Sequence, residues 1–104
     1  MPEYHPCPYL RGDVEITDER YEHVLKGHSE LALYHWERLS ETLGQPDMVL
    51  RSNSDDTATL FLRWYDDLDK MIVAVVISEP ERNWLITGYI TGDMPKGEIL
   101  WERD

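Results

Sequence analysis

A single change in hydrophobic period, across residues 44–47, constrains the fold of this chain more than any other feature. Before it, apolar residues recur at helical spacing, and after it they alternate or run together as in strands. Gly44 fits a left-handed helix C-cap, and Pro46 cannot continue a helix. The helical part is therefore expected to end near Leu43, and strands should make up the second half.

Two helices are predicted before this change. Thr17 is suited to an N-cap position, and the residues after it predict a first helix that ends near Gly27. The apolar stripe of this helix consists of Tyr21, Val24, Leu25 and His28. Ser29 restarts the pattern and predicts a second helix reaching Leu43. The stripe of the second helix consists of Ala32, Trp36, Leu39 and Leu43.

Four strands are predicted after the change, at residues 48–52, 59–65, 71–77 and 84–91. Short polar loops separate them, which favours antiparallel neighbours. The uninterrupted apolar run 71–77 is typical of a strand covered on both faces, so it is expected at the centre of the sheet. Residues 98–101 predict a short edge strand. The predicted fold class is α+β, with two N-terminal helices packed on a four- or five-stranded antiparallel sheet.

The length of 104 residues fits one domain, and no linker, repeat or low-complexity segment divides the chain. Residues 1–104 are therefore predicted to form a single domain. Residues 1–12 contain Pro2, Pro6 and Pro8 without helical period, which predicts an extended arm whose flexibility the sequence leaves open. Residues 13–17 alternate and predict a short strand or a lead-in to the first helix.

Composition excludes several classes of function. Twenty-one acidic and ten basic residues give a formal charge of −11, which argues against nonspecific binding of nucleic acid. The single cysteine, Cys7, cannot form an internal disulfide, and no targeting segment is recognisable, so a reducing cytoplasm is the expected compartment. The longest apolar run is far shorter than the ~20 residues of a membrane span. We therefore expect no membrane association.

Strand alternation identifies candidate site residues. In residues 84–91, one side carries Thr87, Tyr89 and Thr91, and in residues 59–65 one side carries Arg63 and Tyr65. If the helices cover the more apolar side, these residues and Arg51 line a shared concave surface. The alternative is that they form the ordinary solvent face of a half-covered sheet.

His28 is the most informative of the four histidines, because it ends the apolar stripe of the first helix. An imidazole titrates near neutral pH and is able to act as general acid or base. The alternative is a partly buried histidine bonded to the backbone. His5 and Cys7 lack a second ligand pair, and residues 66–69 fit a charged turn better than a calcium loop. No metal or other cofactor is predicted.

The order of several short motifs is similar to that of a known group of nucleases. The chain resembles the barnase, EndoU, colicin and RelE-like nuclease superfamily, above all its phage-associated branch. In that branch a helix ending in histidine precedes a second helix, a Pro-Asp turn and an Arg-Ser strand. The matching segments are residues 16–28, 42–47, 49–52, 62–65, 86–91 and 96–101.

The resemblance implies a two-helix, four-stranded antiparallel fold with its site on the sheet. It also implies metal-independent cleavage of RNA, in which the 2'-hydroxyl attacks the adjacent phosphate. His28 would then act as general acid or base, and Arg51 and Arg63 would stabilise the charged phosphorane. Tyr65, Tyr89 or Thr91 would orient the phosphate. On a chain of charge −11, such a site has to be a local basic exception.

Two hypotheses about function follow. The first is a metal-independent ribonuclease-like domain, toxin-like or phage-associated, with RNA as its substrate. The second is a noncatalytic acidic binding module, comparable to an immunity protein or antitoxin, for a basic protein partner. The charge of −11 motivates the second hypothesis, because it would speed association with a cationic protein. The sequence leaves the state of homo-oligomerisation open.

Overall fold

A computed structural model describes residues 1–104 and shows one seven-stranded sheet with three α-helices. The strands are β1 (Glu3–Cys7), β2 (Gly12–Ile16), β3 (Met48–Ser52), β4 (Ala58–Tyr65), β5 (Lys70–Glu79), β6 (Arg82–Thr91) and β7 (Gly97–Glu102). The helices are α1 (Asp18–Gly27), α2 (Ser29–Tyr34) and α3 (Trp36–Gly44). A 3-10 turn at Pro8–Leu10 joins β1 to β2. No helix is long and apolar enough to cross a membrane.

The strands lie in the order β1-β2-β6-β5-β4-β3-β7, which puts β5 at the centre as the apolar run predicted. Strand β2 pairs with β6 in parallel, and all other neighbours are antiparallel. The predicted fold of two helices on a four- or five-stranded antiparallel sheet is therefore wrong. The sheet is mixed, it has seven strands, and three short helices pack on it.

The first error is at the N-terminus, where the expected arm contains a strand. Strand β1 pairs with β2 along its whole length, and Pro6 lies opposite Asp13. Proline is tolerated there because β1 is the outermost strand, where a missing N–H breaks no ladder in the sheet interior. Cys7 is buried in the core. The pairing of β2 with β6 joins residues far apart in sequence, and no local pattern encodes it.

The second error is in the second predicted helix, which is divided at His35. The backbone of His35 leaves the helical region (φ −135°, ψ 21°), and α3 restarts with Arg38 N–H donating to the His35 carbonyl at 2.9 Å. The predicted apolar stripe survives the break, since Leu39 and Leu43 are buried with Ala32. The division allows α2 to approach β6 while α3 packs across β4 and β5.

All three helices lie against one side of the sheet, which we call the helix-covered face. Its strand residues are Val49, Phe61, Ile72, Ala74, Val76 and Leu85, and they pack with helix residues such as Val24, Leu31, Leu39 and Leu43. The absence of a side chain at Gly88 favours the close approach of α2 and α3 to β6. A Cβ atom at Gly88 would lie 3.1 Å from side-chain atoms of both Leu31 and Leu39.

The opposite side of the sheet, which we call the concave face, has no helix. Leu50, Leu60, Leu62 and Val73 are nevertheless buried there. Curvature of the sheet explains this burial. In a flat sheet the end of β6 and the start of β7 would lie about 28 Å apart. The intervening residues 92–96 span at most about 20 Å, so the sheet has to curl, and burial of the four side chains without a helix indicates that this side is the concave one.

Candidate functional site

The structure distributes the six predicted site residues over both faces of the sheet and the end of one helix. The helix-covered side carries Arg51, Arg63 and Tyr65, and the concave side carries Tyr89 and Thr91. His28 lies at the exposed end of α1. They do not share one surface, because the helices cover the side of β4 that carries Phe61 and Tyr65 rather than the side that carries Leu60 and Leu62.

Tyr65 and Arg63 meet in a polar network beneath α3. Tyr65 is only 9% exposed, and its hydroxyl donates to Glu41 Oε1 at 2.7 Å, with the Arg38 carbonyl at 3.1 Å. Burial is the main cause that raises the pKa of Tyr65 to about 12. Arg63 donates to the Gln45 carbonyl and lies 3.5 Å from Glu41. Tyr65 is therefore a protonated residue of the network rather than a free phosphate ligand.

The sequence did not indicate that Arg38 belongs to this network, on the other side of the Tyr65 ring. The Arg38 guanidinium lies 4.8 Å from the centre of the Tyr65 ring and donates to both carboxylate oxygens of Asp67, at 2.8 and 2.7 Å. That pair of hydrogen bonds lowers the pKa of Asp67. Arg38 and Glu41 are one turn apart on α3, but nothing in the sequence connects them to a strand more than twenty residues away.

Arg51 lies apart from these residues, near the β7 edge. It is paired by register with Thr59 on β4 and lies 3.8 Å from Glu98, in an exposed ion pair. Arg63 is four residues further along β4, which corresponds to roughly 13 Å. The two arginines therefore do not converge on one phosphate-sized position along the strand direction.

His28 and Tyr89 are the two predicted residues that meet at an open surface. Their ring centres are 5.9 Å apart, at the part of β6 that β2 does not cover. His28 borders a cleft of about 260 Å³ between the α1–α2 junction and Ile90, and no lysine or arginine lines it. Burial raises the pKa of Tyr89. Thr91 is close by in sequence, but its Oγ1 accepts from the Asp93 N–H at 3.0 Å.

The concave face has a different chemistry from the predicted phosphate site. Around its buried floor lie partly buried Met48, Met71, Val75 and Tyr89. At its margins, Trp64 is 42% and Ile99 is 53% exposed. The Trp64 indole N–H donates to Asp66 at 2.8 Å, which fixes the ring. This face therefore presents apolar surface and offers a phosphate no cation on its floor.

Acidic residues occupy the turns that border both ends of the concave face. The turns between β3 and β4, β4 and β5, and β5 and β6, and the connector to β7, all carry exposed carboxylates. They are Asp55, Asp56, Asp66, Asp67, Asp69, Glu79, Glu81 and Asp93. The basic residues in the same segments are Lys70, Arg82 and Lys96. An apolar surface thus lies between two acidic borders.

No group of three or more histidine, cysteine, aspartate or glutamate side chains is placed to hold a metal ion. Comparisons with known protein families, with curated proteins and with solved structures find no match to this chain. The resemblance to the nuclease superfamily thus stays a prediction from the motifs.

Proposed function

We propose that this chain is a noncatalytic binding module that takes a basic protein partner on its concave face. The observation that carries the proposal is the apolar surface of Met71, Val75, Trp64 and Ile99 between acidic turns. A buried apolar centre with a charged border is the usual anatomy of a protein interface. The six catalytic candidates, in contrast, lie on different faces and include no cation beside His28.

The size of the molecule supports an interface on this face. The chain measures 32 × 29 × 23 Å, so its broad side can present roughly the 800 Å² that a partner buries in a standard complex. The fixed ring of Trp64 is suited to anchor the contact, since aromatic residues with few conformers contribute most to binding. We therefore expect apolar side chains of the partner to meet Trp64 and its neighbours.

The acidic borders define the chemistry of the partner. A net charge of −11 accelerates encounter with a cationic protein and weakens binding to acidic ones. The partner should therefore combine an apolar centre with flanking lysine or arginine, as a toxin recognised by an immunity protein or antitoxin would. We place the complex in the cytoplasm, where the single buried cysteine stays reduced.

Affinity capture with matched variants tests this function. Immobilised protein should retain basic proteins from a lysate and release them as salt is raised. The captured protein, once purified, should bind at least tenfold more weakly to Trp64→Lys and Ile99→Lys. The control is Leu33→Lys, because Leu33 is 60% exposed but lies on α2. It should bind like the unmodified chain.

Three outcomes contradict the proposal. One is retention of neutral or acidic proteins without salt dependence, and another is the absence of any retained basic protein. The third is equal loss of affinity in Leu33→Lys and Trp64→Lys. Amide spectra of each variant establish that a loss of binding does not reflect a loss of fold.

The contact between His28 and Tyr89 favours one second candidate, a metal-independent ribonuclease-like activity. An exposed imidazole beside a phenol at the border of a cleft supplies a general acid or base and a hydrogen-bond donor. Incubation of mixed RNA with the protein in EDTA, alongside His28→Ala, Tyr89→Phe and Arg51→Ala, tests it. Cleavage that falls at least a hundredfold in His28→Ala supports the activity. Absent cleavage, or equal cleavage by all four proteins, rules it out.

A further inference from the structure

A mainly apolar cleft of about 340 Å³ lies between the 3-10 turn, the end of α3 and the last strand. Two aromatic rings and two prolines dominate its lining: Tyr9, Trp101, Pro8 and Pro46. We call it the aromatic cleft. It is separate from the concave face, because Trp101 is paired by register with Val49, whose side chain belongs to the helix-covered core.

The two rings are half-exposed, and the fold fixes their positions. Tyr9 and Trp101 are each 40% exposed. The Tyr9 ring packs edge-on against the buried Phe61, with ring centres 5.9 Å apart and an angle of 77°. Trp101 is held by the pairing of β7 with β3. Rigid aromatic surface of this kind costs little conformational entropy to bind.

The rings also carry hydrogen-bond donors that the protein itself does not use. The indole N–H groups of Trp36 and Trp64 donate to Glu3 and Asp66. The Trp101 indole N–H and the Tyr9 hydroxyl make no hydrogen bond within the protein. An occupant of the cleft should therefore offer both an apolar surface for the rings and carbonyl oxygens for these donors.

The charge of the lining limits which molecules can bind in the aromatic cleft. Arg103 is the single charged residue of the lining, and it donates to the Gln45 and Pro46 carbonyls at 2.8 and 3.1 Å. It also lies 3.6 Å from Asp47. With this cation already paired, the cleft attracts neither anions nor cations strongly. The overall charge of −11 further disfavours a nucleic-acid strand.

We propose that the aromatic cleft binds a proline-rich protein segment in the polyproline II conformation. Proline rings stack on exposed aromatic rings, and this helix has no internal hydrogen bonds, so its carbonyls are free to accept from Trp101 and Tyr9. The neutral occupant matches the neutral cleft. The site is independent of the partner proposed for the concave face.

Titration with an uncharged octaproline peptide, blocked at both ends, tests the proposal. The Trp101 indole N–H signal should shift saturably in NMR spectra. Trp101→Leu should weaken binding at least tenfold, and Tyr9→Phe severalfold through loss of the hydroxyl. The matched control is Trp64→Leu, since Trp64 has nearly the same exposure but lies on the concave face. It should bind octaproline like the unmodified chain.

A blocked glycine-serine peptide and a single-stranded oligonucleotide complete the experiment. Equal binding of the glycine-serine peptide, no saturable shift with octaproline, or equal weakening by Trp64→Leu overturns the proposal. Saturable binding of the oligonucleotide instead of octaproline overturns it in favour of base stacking. Trp101→Leu should leave capture of a basic partner on the concave face unchanged, so the two proposals fail separately.

Discussion

The two faces of the sheet use the same strands but solve different packing problems. On the helix-covered face, Phe61 and Ile72 join a continuous core, and the polar atoms of Tyr65 find partners on α3. On the concave face, Leu62 and Val73 are buried without any helix, among side chains that stay partly exposed. The polar side of a strand can therefore be buried when the helix that covers it supplies hydrogen-bond partners.

The largest expected effect compares adjacent residues of β4 that point to opposite faces. Phe61→Ala should destabilise the protein by about 3–5 kcal/mol, because it empties a fully buried site and removes the support of Tyr9. Leu62→Ala should cost about 2–3 kcal/mol, because residues around it on the concave face are freer to relax. Urea denaturation measures both.

An exposed position on β7 provides the control for this pair. Ile99→Ala should change the free energy of unfolding by less than about 1 kcal/mol, because the side chain is largely exposed already. If Leu62→Ala costs no more than Ile99→Ala, the concave face is not a second core and the comparison between the faces fails.

These faces also show where the fold was predictable. The central position of residues 71–77 and, to within two residues, the bounds of the five predicted strands followed from local period, because each depends on neighbouring residues alone. The hairpin of β1 and β2 did not, because Pro6 masked it and its parallel pairing with β6 is set by distant residues. The prediction of which side of β4 the helices cover was also wrong, because both sides of this strand carry large apolar residues and the sequence does not show which of them meets a helix.

The second prediction compares one tyrosine from each face. Tyr65→Phe should destabilise the protein by about 1–2 kcal/mol, since it removes the partly buried hydrogen bonding of the hydroxyl to Glu41 and the Arg38 carbonyl. Tyr89→Phe should fall within about 0.5 kcal/mol of the unmodified chain, because the Tyr89 hydroxyl makes no hydrogen bond within the protein. Equal effects would show that the network beneath α3 contributes no specific stability.

The dependence of stability on alkaline pH tests the same tyrosine, Tyr65, in the unmodified chain. The pKa of Tyr65 is about 12 when folded and about 10 when unfolded, so unfolding releases its proton between these values. Stability is fully present below pH 10 and falls, by about 2 kcal/mol from this residue, as pH rises towards 12. Urea denaturation across this window should show a shallower loss in Tyr65→Phe. The same slope in both proteins would contradict the assignment.

A further prediction concerns the contact of the helices with β6. Gly88→Ala should destabilise by about 1 kcal/mol, because the new methyl group pushes Leu31 and Leu39 by a few tenths of an ångström. Gly27→Ala is the control, since a Cβ atom there meets nothing within 4 Å. It should leave stability unchanged or raise it slightly, because alanine favours helix. A stabilising Gly88→Ala would mean that the helix layer is loosely packed.

The site was less predictable than the fold. His28 and Tyr89 lie close together, because each lies near the end of an element whose position the period defines. Arg63 and Tyr65 were assigned to an exposed surface, whereas Glu41 draws both into the network beneath α3. Tyr9 and Trp101 lie at opposite ends of the sequence, so no spacing rule could bring them together in one cleft.

The smallest expected effect is the acid response of the ion pair between Arg38 and Asp67, at the border of the two faces. Its hydrogen bonds lower the pKa of the Asp67 carboxyl below the usual 3.8, so the pair stabilises the fold above that value. This contribution is lost as pH falls through the lowered pKa. Asp67→Asn should therefore lower the melting temperature at pH 7 but converge with the unmodified chain at acid pH, once the Asp67 carboxyl is protonated. Asp56→Asn, which removes an exposed carboxylate without an ion-pair partner, is the control. If the two variants respond alike to pH, general charge repulsion rather than this ion pair determines stability at acid pH. Packing alone would then hold the turn that carries Asp67 against α3.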